Sequence, residues 1–188
     1  MGKGAVGALL LVAGAVLALA SHATGQRPSP GAPSQRATLN TWSVVAADPT
    51  SGAVGVAGAS CFPEAVDAIA ALVPGRGAAA TQADFDLSNR DNVFQLLQEG
   101  RQAEEIVSAV TQVGDDPGRS RRQYGVVTLA QGQAQTATYT GEGALEWAGA
   151  RQDGTVGVAV QGNILEGEAV VDQSLGAFRT AREANEPL

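Results

Sequence analysis

The sequence predicts an α+β fold, and three features of the chain indicate it. Two β-rich segments, residues 41–47 and 53–60, are joined by the turn sequence Asp48-Pro49-Thr50-Ser51-Gly52, which predicts a hairpin. Two helical patterns follow, further strand patterns come after them, and a helical pattern closes the chain. This order of strands, helices, strands and a helix favours a layered α+β domain over alternating βαβ units.

The remaining elements follow from periodicity and turn chemistry. Small and β-branched residues in the first hairpin suit a sheet that another layer approaches closely. Apolar spacing, with Pro63 near the start, predicts a short helix over 62–72. Strands are predicted at 77–83, 124–129, 133–139 and 155–161, a tight turn at Gln131-Gly132, and helices at 89–99, 103–113 and 168–183.

The N-terminal segment has the features of a cleaved secretion signal. Lys3 gives a positive start, residues 5–20 are apolar, and small-residue boxes follow. The apolar run is short for a membrane anchor, which needs about 20 residues. We therefore expect a secreted or periplasmic protein with no stable membrane anchor after processing. The expected organisation is a signal peptide at 1–23, a Pro/Ser/Gly-rich linker at 24–37 and one folded domain at 38–188.

Cleavage of that signal would remove most of the usual catalytic bases. His22 is the sole histidine of the sequence and Lys3 the sole lysine, and both precede the linker. A Ser–His–Asp triad or a Cys–His pair needs an imidazole. A P-loop or a Schiff-base site needs a lysine. If the mature protein is an enzyme, its base must be a carboxylate, a bound ion or the α-amine of the chain.

The net charge and the single cysteine bear on two further possibilities, nucleic-acid binding and a catalytic thiol. The net charge is −7, and one basic cluster, Arg119, Arg121 and Arg122, lies beside acidic residues in what we interpret as a solvated loop. Nucleic acid is therefore not an expected partner. The single cysteine, Cys61, allows no internal disulfide, and we interpret it as a small buried structural residue, because no histidine or lysine is available to lower its pKa.

Metal and carboxylate sites have weak support. Without histidine in the mature chain and with one cysteine, zinc and copper sites are nearly excluded, so no metal or cofactor is expected. The densest oxygen cluster, around Asp84 and Asp86, lacks the EF-hand spacing and is interpreted as a solvated helix start. Glu142, Glu146 and Asp153 are candidates for paired acid–base work, but no spacing rule links them.

A hydroxyl nucleophile activated by its own α-amine fits the composition best. An α-amine titrates near 7.7–8.0, so it can accept a proton from a Thr or Ser side chain of the same residue at physiological pH. The design requires the nucleophile at the start of the first buried strand, exposed by processing. Thr38, Thr41 and Ser43 are the hydroxyl residues there, although Thr and Ser are also common at strand starts without any catalytic role.

Several blocks of the chain resemble the bacterial family called domain of unknown function 1028. The resemblance runs in order from Thr41 to about Gly167, and its more specific blocks are Trp-Ser-Val-Val-Ala-x-Asp-Pro and Gln-Gly-Asn-Ile-Leu. The matching segments are 41–49 with Gly52, 54–57, 59–61, 77–83, 125–127, 139–141, 147–149 and 160–165.

The resemblance implies a four-layer αββα sandwich of the N-terminal-nucleophile (Ntn) hydrolase superfamily and hydrolysis of an amide bond. It implies Thr41 as nucleophile, which requires a cut between Asn40 and Thr41. From their positions in matching blocks, Ser60, Gln82 and Asn163 are expected to bind substrate or hold the oxyanion. The family usually continues beyond the position of Leu188, so we expect the C-terminal part of the domain to be missing and one sheet to be incomplete.

A second hypothesis is a non-catalytic secreted domain that keeps the fold and binds a cell-wall or peptide ligand, because fold alone does not imply function. The first hypothesis expects a small amide or peptide substrate. A homo-oligomer is left open by the sequence. The N-terminal residue of the exported protein would distinguish the two hypotheses.

Overall fold

The computed structural model describes residues 40–61, 66–112 and 116–188. The predicted signal peptide and linker lie outside the described residues. The described elements are β1 (Thr41–Ala47), β2 (Val54–Ser60), β3 (Ala70–Val73), β4 (Gly77–Ala83), α1 (Leu87–Glu99), α2 (Ala103–Val110), β5 (Arg122–Ala130), β6 (Gln133–Thr140), β7 (Gly149–Asp153), β8 (Val158–Asn163) and α3 (Ala169–Glu183). No helix in these three ranges has the length and apolar character needed to cross a membrane.

The strands form two antiparallel sheets of four strands each. One sheet has the order β2-β1-β8-β7 and the other the order β3-β4-β5-β6. The first hairpin forms as predicted, with Thr41 opposite Ser60 and Ala47 opposite Val54. The fold is therefore α+β with two antiparallel sheets and three α-helices in the described ranges, as the element order indicated.

The two sheets pack face to face on small side chains. Alternate residues of β1, such as Val45 and Ala47, point into the space between the sheets, as the period of two in a strand requires. The fully buried members of this cluster are Val45, Ala47, Ala78, Ala80, Val127 and Ala159. Because four of these six are alanines, the facing strands approach closely, which agrees with the small residues noted in the sequence.

The outer face of each sheet is covered by helix. Side chains of α1 and α2, including Val93, Leu97 and Ile106, pack on the β3-β4-β5-β6 sheet. Side chains of α3, including Val171 and Leu175, pack on the β1-β8-β7 part of the other sheet. Each helix thus buries one apolar stripe, which is the usual way that an amphipathic helix is stabilised by a sheet.

Two turns form by the chemistry that the sequence indicated. The Asp48 carboxylate accepts hydrogen bonds from the backbone N–H of Thr50 at 2.9 Å and from the Ser51 hydroxyl at 3.0 Å. Gln131 and Gly132 both have positive φ, 53° and 74°, as a two-residue type I′ hairpin requires. These turns fix the registers of the β1–β2 and β5–β6 pairs.

The helix predicted over 62–72 is wrong. Val66–Ile69 forms a short 3-10 helix, and Ala70–Val73 then pairs with β4 as strand β3. Residues 62–65 lie outside the described ranges. A four-residue strand is too short to show its period of two against an apolar helical spacing, which explains the error. Strand β7 was also missed, because its sequence Gly-Ala-Arg-Gln-Asp has low β-propensity.

The interpretation of the arginine cluster as a solvated loop is also wrong for one member. Arg122 begins β5 and is buried, and its Nε donates to the Asp116 carboxylate at 2.5 Å. The hydrogen bond from Arg122 is the largest effect on Asp116 and holds the pKa of that carboxyl below its ordinary value, against the opposing effect of burial. Asn89 of α1 donates to the same carboxylate at 3.0 Å, so the pair ties α1 to the start of β5.

Glycine at position 77 is required by close packing. A Cβ there would lie 2.5 Å from the backbone oxygen of Val127 and 3.0 Å from Leu97 Cδ2. We expect Gly77→Ala to destabilise the domain by about 1–3 kcal/mol, the usual effect of overpacking. Gly176→Ala is the matched control, because a Cβ at that exposed position in α3 would meet no atom within 4 Å apart from the neighbouring backbone of its own helix, and we expect it to stabilise by about 0.8–1 kcal/mol. Chemical denaturation measures both, and equal effects would contradict the packing argument.

The Asp116–Arg122 pair predicts a loss of stability in acid. Because the folded-state pKa of Asp116 is lowered, its contribution is present above the unfolded pKa of about 3.9 and is lost as the pH falls through the folded value. We expect Asp116→Asn to cost about 3 kcal/mol at pH 7, where it leaves Arg122 buried without its counterion, and to flatten the stability profile below about pH 4. Asp91→Asn, at an exposed ion pair with Arg90, should change stability by less than about 1 kcal/mol. Urea unfolding from pH 3 to 7 measures the profile, and an unchanged acid slope in Asp116→Asn would contradict the assignment.

Candidate functional site

Three of the predicted site residues share one row of the β2-β1-β8 sheet. Thr41, at the start of β1, lies opposite Ser60 of β2 on one side and opposite Asn163 of β8 on the other. The Thr41 and Ser60 hydroxyl oxygens are 2.8 Å apart, within hydrogen-bond distance. Both hydroxyl residues are half-buried, whereas Asn163 is buried. The strand pairing therefore brings together two hydroxyls and a primary amide that are distant in sequence.

Ser43, the next hydroxyl on the same face of β1, is sealed in the core. Its side chain is 0% exposed. The hydroxyl donates to Gln82 Oε1 at 2.6 Å and accepts from Gln161 Nε2 at 2.6 Å. A hydroxyl with its proton and a lone pair already engaged, and with no exposed surface, cannot reach a substrate. The two hydroxyl residues of β1 thus differ in exposure, since Ser43 is sealed in the core and Thr41 is half-buried.

Gln82 makes its side-chain hydrogen bonds to Ser43 and Gln123. It is buried at the end of β4, in the facing sheet, and its amide connects Ser43 to Gln123 of β5. Gln82 lies at a strand end, as predicted. Its side chain lies between the two sheets and is not part of the Thr41 row.

Gln123 is a buried residue that the sequence analysis missed. Its Oε1 accepts from Gln82 Nε2 at 2.8 Å and from Asn163 Nδ2 at 3.2 Å. Its Nε2 lies within 3.1 Å of three oxygens, those of the Thr140 hydroxyl and the backbone carbonyls at positions 149 and 162. Gln123 therefore joins the two sheets and fixes the amide of Asn163. We call Ser43, Gln82, Gln123, Gln161 and Asn163 the amide network.

Gly125 makes room for the amide network. A Cβ at this position would lie 1.9 Å from Gln161 Oε1 and 2.5 Å from Gln161 Nε2. No side chain larger than hydrogen fits there while Gln161 keeps its bond to Ser43. Gln161 Oε1 is buried without a hydrogen-bond partner, so the close approach has left one acceptor unpaired.

Backbone strain follows two members of the network. Ala83, after Gln82, and Ile164, after Asn163, have φ of 69° and 55°. Positive φ is costly for a β-branched residue such as Ile164, and such strain concentrates at functional sites. The Ile164 N–H donates to the Leu145 carbonyl at 3.1 Å, which ties the 141–148 loop to the end of β8.

Asp84 and Asp86, which follow β4, are hydrogen-bonded within the domain. Arg121 bonds the Asp84 carboxylate at 2.7 Å. Asp86 caps α1 through the backbone N–H groups of Ser88 and Asn89, which confirms the predicted helix start at this cluster. The Ser88 hydroxyl makes the largest contribution to a lowered pKa of Asp86. Asp84 and Asp86 therefore stabilise the local structure around the start of α1.

The carboxylates considered for acid–base work are in different places. Glu142 and Glu146 are exposed in the 141–148 loop, whereas Asp153 ends β7 in an ion pair with Arg179 at 2.6 Å. Burial raises the pKa of Asp153, but hydrogen bonds from Arg179 and the Thr155 backbone lower it on balance. A carboxyl kept ionised by an arginine is a poor general acid.

The described residues contain no group of three His, Cys, Asp or Glu side chains placed to hold a metal ion.

Cys61, directly after Ser60, is exposed, so its interpretation as a buried residue is wrong. Its backbone N–H donates to the Asn40 carbonyl at 3.1 Å. The β1–β2 pairing extends by one residue here, which carries the cysteine out of the sheet toward solvent.

Two surface grooves are lined by residues other than Thr41. One, of about 350 Å³, is lined by polar residues of α1, including Asn89 and Asn92, and by the end of α2. The other, of about 500 Å³, is largely apolar and runs between α3 and the outer face of β1 and β2, with Trp42 and Phe178 in its walls. Thr41 lines neither groove.

A family model described as a family of unknown function, DUF1028, matches residues 41–188. Among solved structures, the chain is similar to a protein of Silicibacter pomeroyi assigned to the same family, with a TM-score of 0.62 and 26% sequence identity. The match covers 71% of this chain and 56% of the other, so the chain spans little more than half of that relative. No curated protein matches the sequence. Since the family model covers most of the chain, from Thr41 onward, the chain belongs to the DUF1028 family.

Proposed function

We propose that the protein is an exported hydrolase of the N-terminal-nucleophile type, which cleaves an amide bond with Thr41 as nucleophile. The observation that carries the proposal is the difference in exposure between the two hydroxyl residues of β1, Thr41 and Ser43. The Thr41 hydroxyl is partly exposed and 2.8 Å from the Ser60 hydroxyl, whereas the Ser43 hydroxyl is sealed in the core. The family match also begins at Thr41.

The residue types available support an amine base. Between residues 41 and 188 the sequence has neither histidine nor lysine. Once the Asn40–Thr41 peptide bond is cut, the Thr41 α-amine, with a pKa near 7.7–8.0 in model compounds, lies on the same residue as the hydroxyl. The amine accepts the hydroxyl proton while Oγ1 attacks the amide carbon, and then gives that proton to the leaving nitrogen. Water hydrolyses the resulting ester and restores Thr41.

Asn163 is the proposed donor to the oxyanion. It lies directly opposite Thr41 in the strand pairing, and its primary amide has two N–H groups. One of them is held by Gln123 Oε1, which fixes the plane of the amide. A donor fixed before reaction stabilises developing negative charge without reorganisation. Ser60 is proposed to orient the Thr41 hydroxyl through the contact between their oxygens.

The arrangement of layers supports the same class. Helices lie on both outer faces and the two sheets pack against each other. We propose that this is the four-layer αββα sandwich of the Ntn hydrolases.

The second candidate function is a non-catalytic secreted domain that binds a cell-wall or peptide ligand. In the described chain Thr41 follows Asn40 through a peptide bond, and the Asn40 carbonyl is part of the sheet pairing through Cys61. In that form the Thr41 nitrogen is an amide, which cannot act as a base. Processing at this bond therefore decides between the two functions.

We expect the mature exported protein to begin at Thr41 and to hydrolyse members of a panel of small amides, with a rate that rises through about pH 8 as the amine loses its proton. Thr41→Ala should abolish hydrolysis, and Thr41→Ser should keep part of it, because a serine hydroxyl occupies the same place. N-terminal sequencing and the amide panel test the two halves. A mature protein that begins well before Thr41 and hydrolyses none of the amides would favour the binding domain. Hydrolysis that is unchanged in Thr41→Ala would mean that the amine mechanism is wrong.

Ser43 provides the matched control. Ser43→Ala leaves Gln82 Oε1 and Gln161 Nε2 without their shared partner, so we expect a loss of about 1–3 kcal/mol in the free energy of unfolding. Thr41→Ala removes a half-buried hydroxyl and should change stability by less than about 1 kcal/mol. Denaturant unfolding of both variants separates a structural hydroxyl from a reactive one. The reverse order of effects would contradict the assignment.

A further inference from the structure

The side chains of the amide network are hydrogen-bonded in one direction. The Ser43 hydroxyl donates to Gln82 Oε1 at 2.6 Å and accepts from Gln161 Nε2 at 2.6 Å. Gln82 Nε2 donates to Gln123 Oε1 at 2.8 Å, and Asn163 Nδ2 donates to the same oxygen at 3.2 Å. Because a primary amide has one donating end and one accepting end, the orientation of each amide decides that of its neighbour.

These four hydrogen bonds do not by themselves choose the direction. If every amide exchanged its oxygen and nitrogen ends, and Ser43 donated to Gln161 instead of Gln82, the same four contacts would form again. The oxygen and nitrogen of an amide are similar in size, so the packing between the sheets would not change. The unpaired Oε1 of Gln161 would become an unpaired nitrogen. The direction is therefore set by a group outside these four bonds.

Two backbone carbonyls set the direction through Gln123. Gln123 Nε2 lies 3.1 Å from the carbonyl oxygen of Gly149 in β7 and 3.0 Å from that of Gly162 in β8. A backbone carbonyl accepts hydrogen bonds but cannot donate one. A reversed Gln123, at a position that is 0% exposed, would place Oε1 against both carbonyl oxygens with no donor between them. The Thr140 hydroxyl, the third group beside Nε2, can donate or accept and so does not decide.

The direction decides which atom of Asn163 lies at Gln123. Asn163 is opposite Thr41 in the strand pairing and is 4% exposed. In the observed direction one N–H of its amide is held by Gln123 Oε1, and the second N–H on the same nitrogen is the proposed donor to the oxyanion. A reversed Asn163 would have Oδ1 at this position, and a carbonyl oxygen cannot donate.

We propose that Gln123 is a positioning residue for the candidate site. It transmits the direction that the two backbone carbonyls set to Asn163, and so keeps a hydrogen-bond donor fixed in the Thr41 row. The direction itself does not depend on any reaction. Its effect on a rate rests on the proposed function, because it acts through the proposed oxyanion donor. Gln123 is fully buried and would not touch the substrate.

A titratable group at position 163 tests the direction without any hydrolysis. In Asn163→Asp the introduced carboxyl faces an acceptor, so it can bond Gln123 Oε1 only when it is protonated. Burial also raises the pKa of that carboxyl, but burial acts similarly after Gln123→Met, which removes the acceptor. We therefore expect a higher pKa in Asn163→Asp than in Asn163→Asp/Gln123→Met, measured by ¹³C NMR titration of the introduced carboxyl. An equal pKa, or a lower one in Asn163→Asp, would overturn the proposal.

Neutron diffraction from deuterated crystals of the wild-type protein gives the direction with no substitution, and so decides the question even if a variant does not fold. We expect the deuterated nitrogen of Gln123 to face the carbonyls of Gly149 and Gly162, and one amide deuteron of Asn163 to point at Gln123 Oε1. A Gln123 whose oxygen faces those carbonyls, or an Asn163 whose oxygen faces Gln123, would overturn the proposal.

Kinetics of Gln123→Met test the positioning role on any amide that the wild-type protein hydrolyses. We expect kcat to fall by up to about 10²–10³-fold, the loss for a removed oxyanion donor, with KM little changed. Gln161→Met is the matched control, because Gln161 is also a glutamine with 0% exposure but bonds Ser43 and not Asn163. The control should keep most of kcat, and an equal fall in both variants would overturn the positioning role.

These experiments separate the inference from the proposed function. The expected direction in a protein that hydrolyses no amide would support the arrangement around Gln123 and reject the hydrolase. Hydrolysis by a protein in which Gln123→Met and Gln161→Met lose kcat equally would support the hydrolase and reject Gln123 as its positioning residue.

Discussion

The amide network between the two sheets is the constraint on which the rest of the domain depends. Three glutamines, an asparagine and a serine are buried there among alanines and valines, where an unpaired polar group is costly. Each is hydrogen-bonded to the facing sheet or to a neighbouring strand, so these bonds form together at one mutual position of the sheets, with Gln161 Oε1 left unpaired. The small apolar side chains let the sheets approach closely but interlock little, so they do not fix how one sheet is placed on the other. The hydrogen bonds of the buried amides fix that placement.

The hydrogen bonds of the amide network also fix the positions of the strand ends relative to one another. Gln123 binds backbone carbonyls of both β7 and β8, which places the last residues of β8 relative to β5. Asn163 and its partner Thr41 are thereby held at the edge of a rigid polar layer. In the proposed reaction, Thr41 would have the fixed amide of Asn163 on one side and solvent on the other, which is the arrangement that a preorganised site requires.

Much of the fold followed from the sequence, and the exceptions have physical reasons. Turn chemistry at Asp48 and Gly132 predicted both hairpins because it is local, and the apolar faces of α1 and α3 are long enough to show their period. The strand β3 was assigned to a helix because its strand character depends on pairing with β4, which is a non-local property. The burial of Arg122 was missed for a similar reason, since its counterion Asp116 is close in sequence but becomes buried through contact with α1.

For the candidate site, the sequence predicted the members of one row and, in the amide network beneath it, Gln82, but neither Gln123 nor Gln161. Thr41, Ser60 and Asn163 were identified through their blocks, and strand pairing brings them together. Gln123 and Gln161 are ordinary polar residues at the ends of predicted strands, and such residues are usually exposed. A signal was present in retrospect, because glutamine occurs at 82, 123 and 161 beside strands of small apolar residues that have no exposed face.

Because Gly125 has no side chain, the residues that can occupy positions 125, 161 and 43 depend on one another. Any larger residue there would displace the Gln161 amide, and a shorter residue at 161 would leave Ser43 without its donor. Neither strand can therefore change alone without passing through a poorly packed or unpaired intermediate. Among relatives of this chain, glycine at 125, glutamine at 161 and serine at 43 should consequently be kept or replaced as a set. An alignment deep enough to measure covariation would show the contact between the two sheets before any coordinates were known.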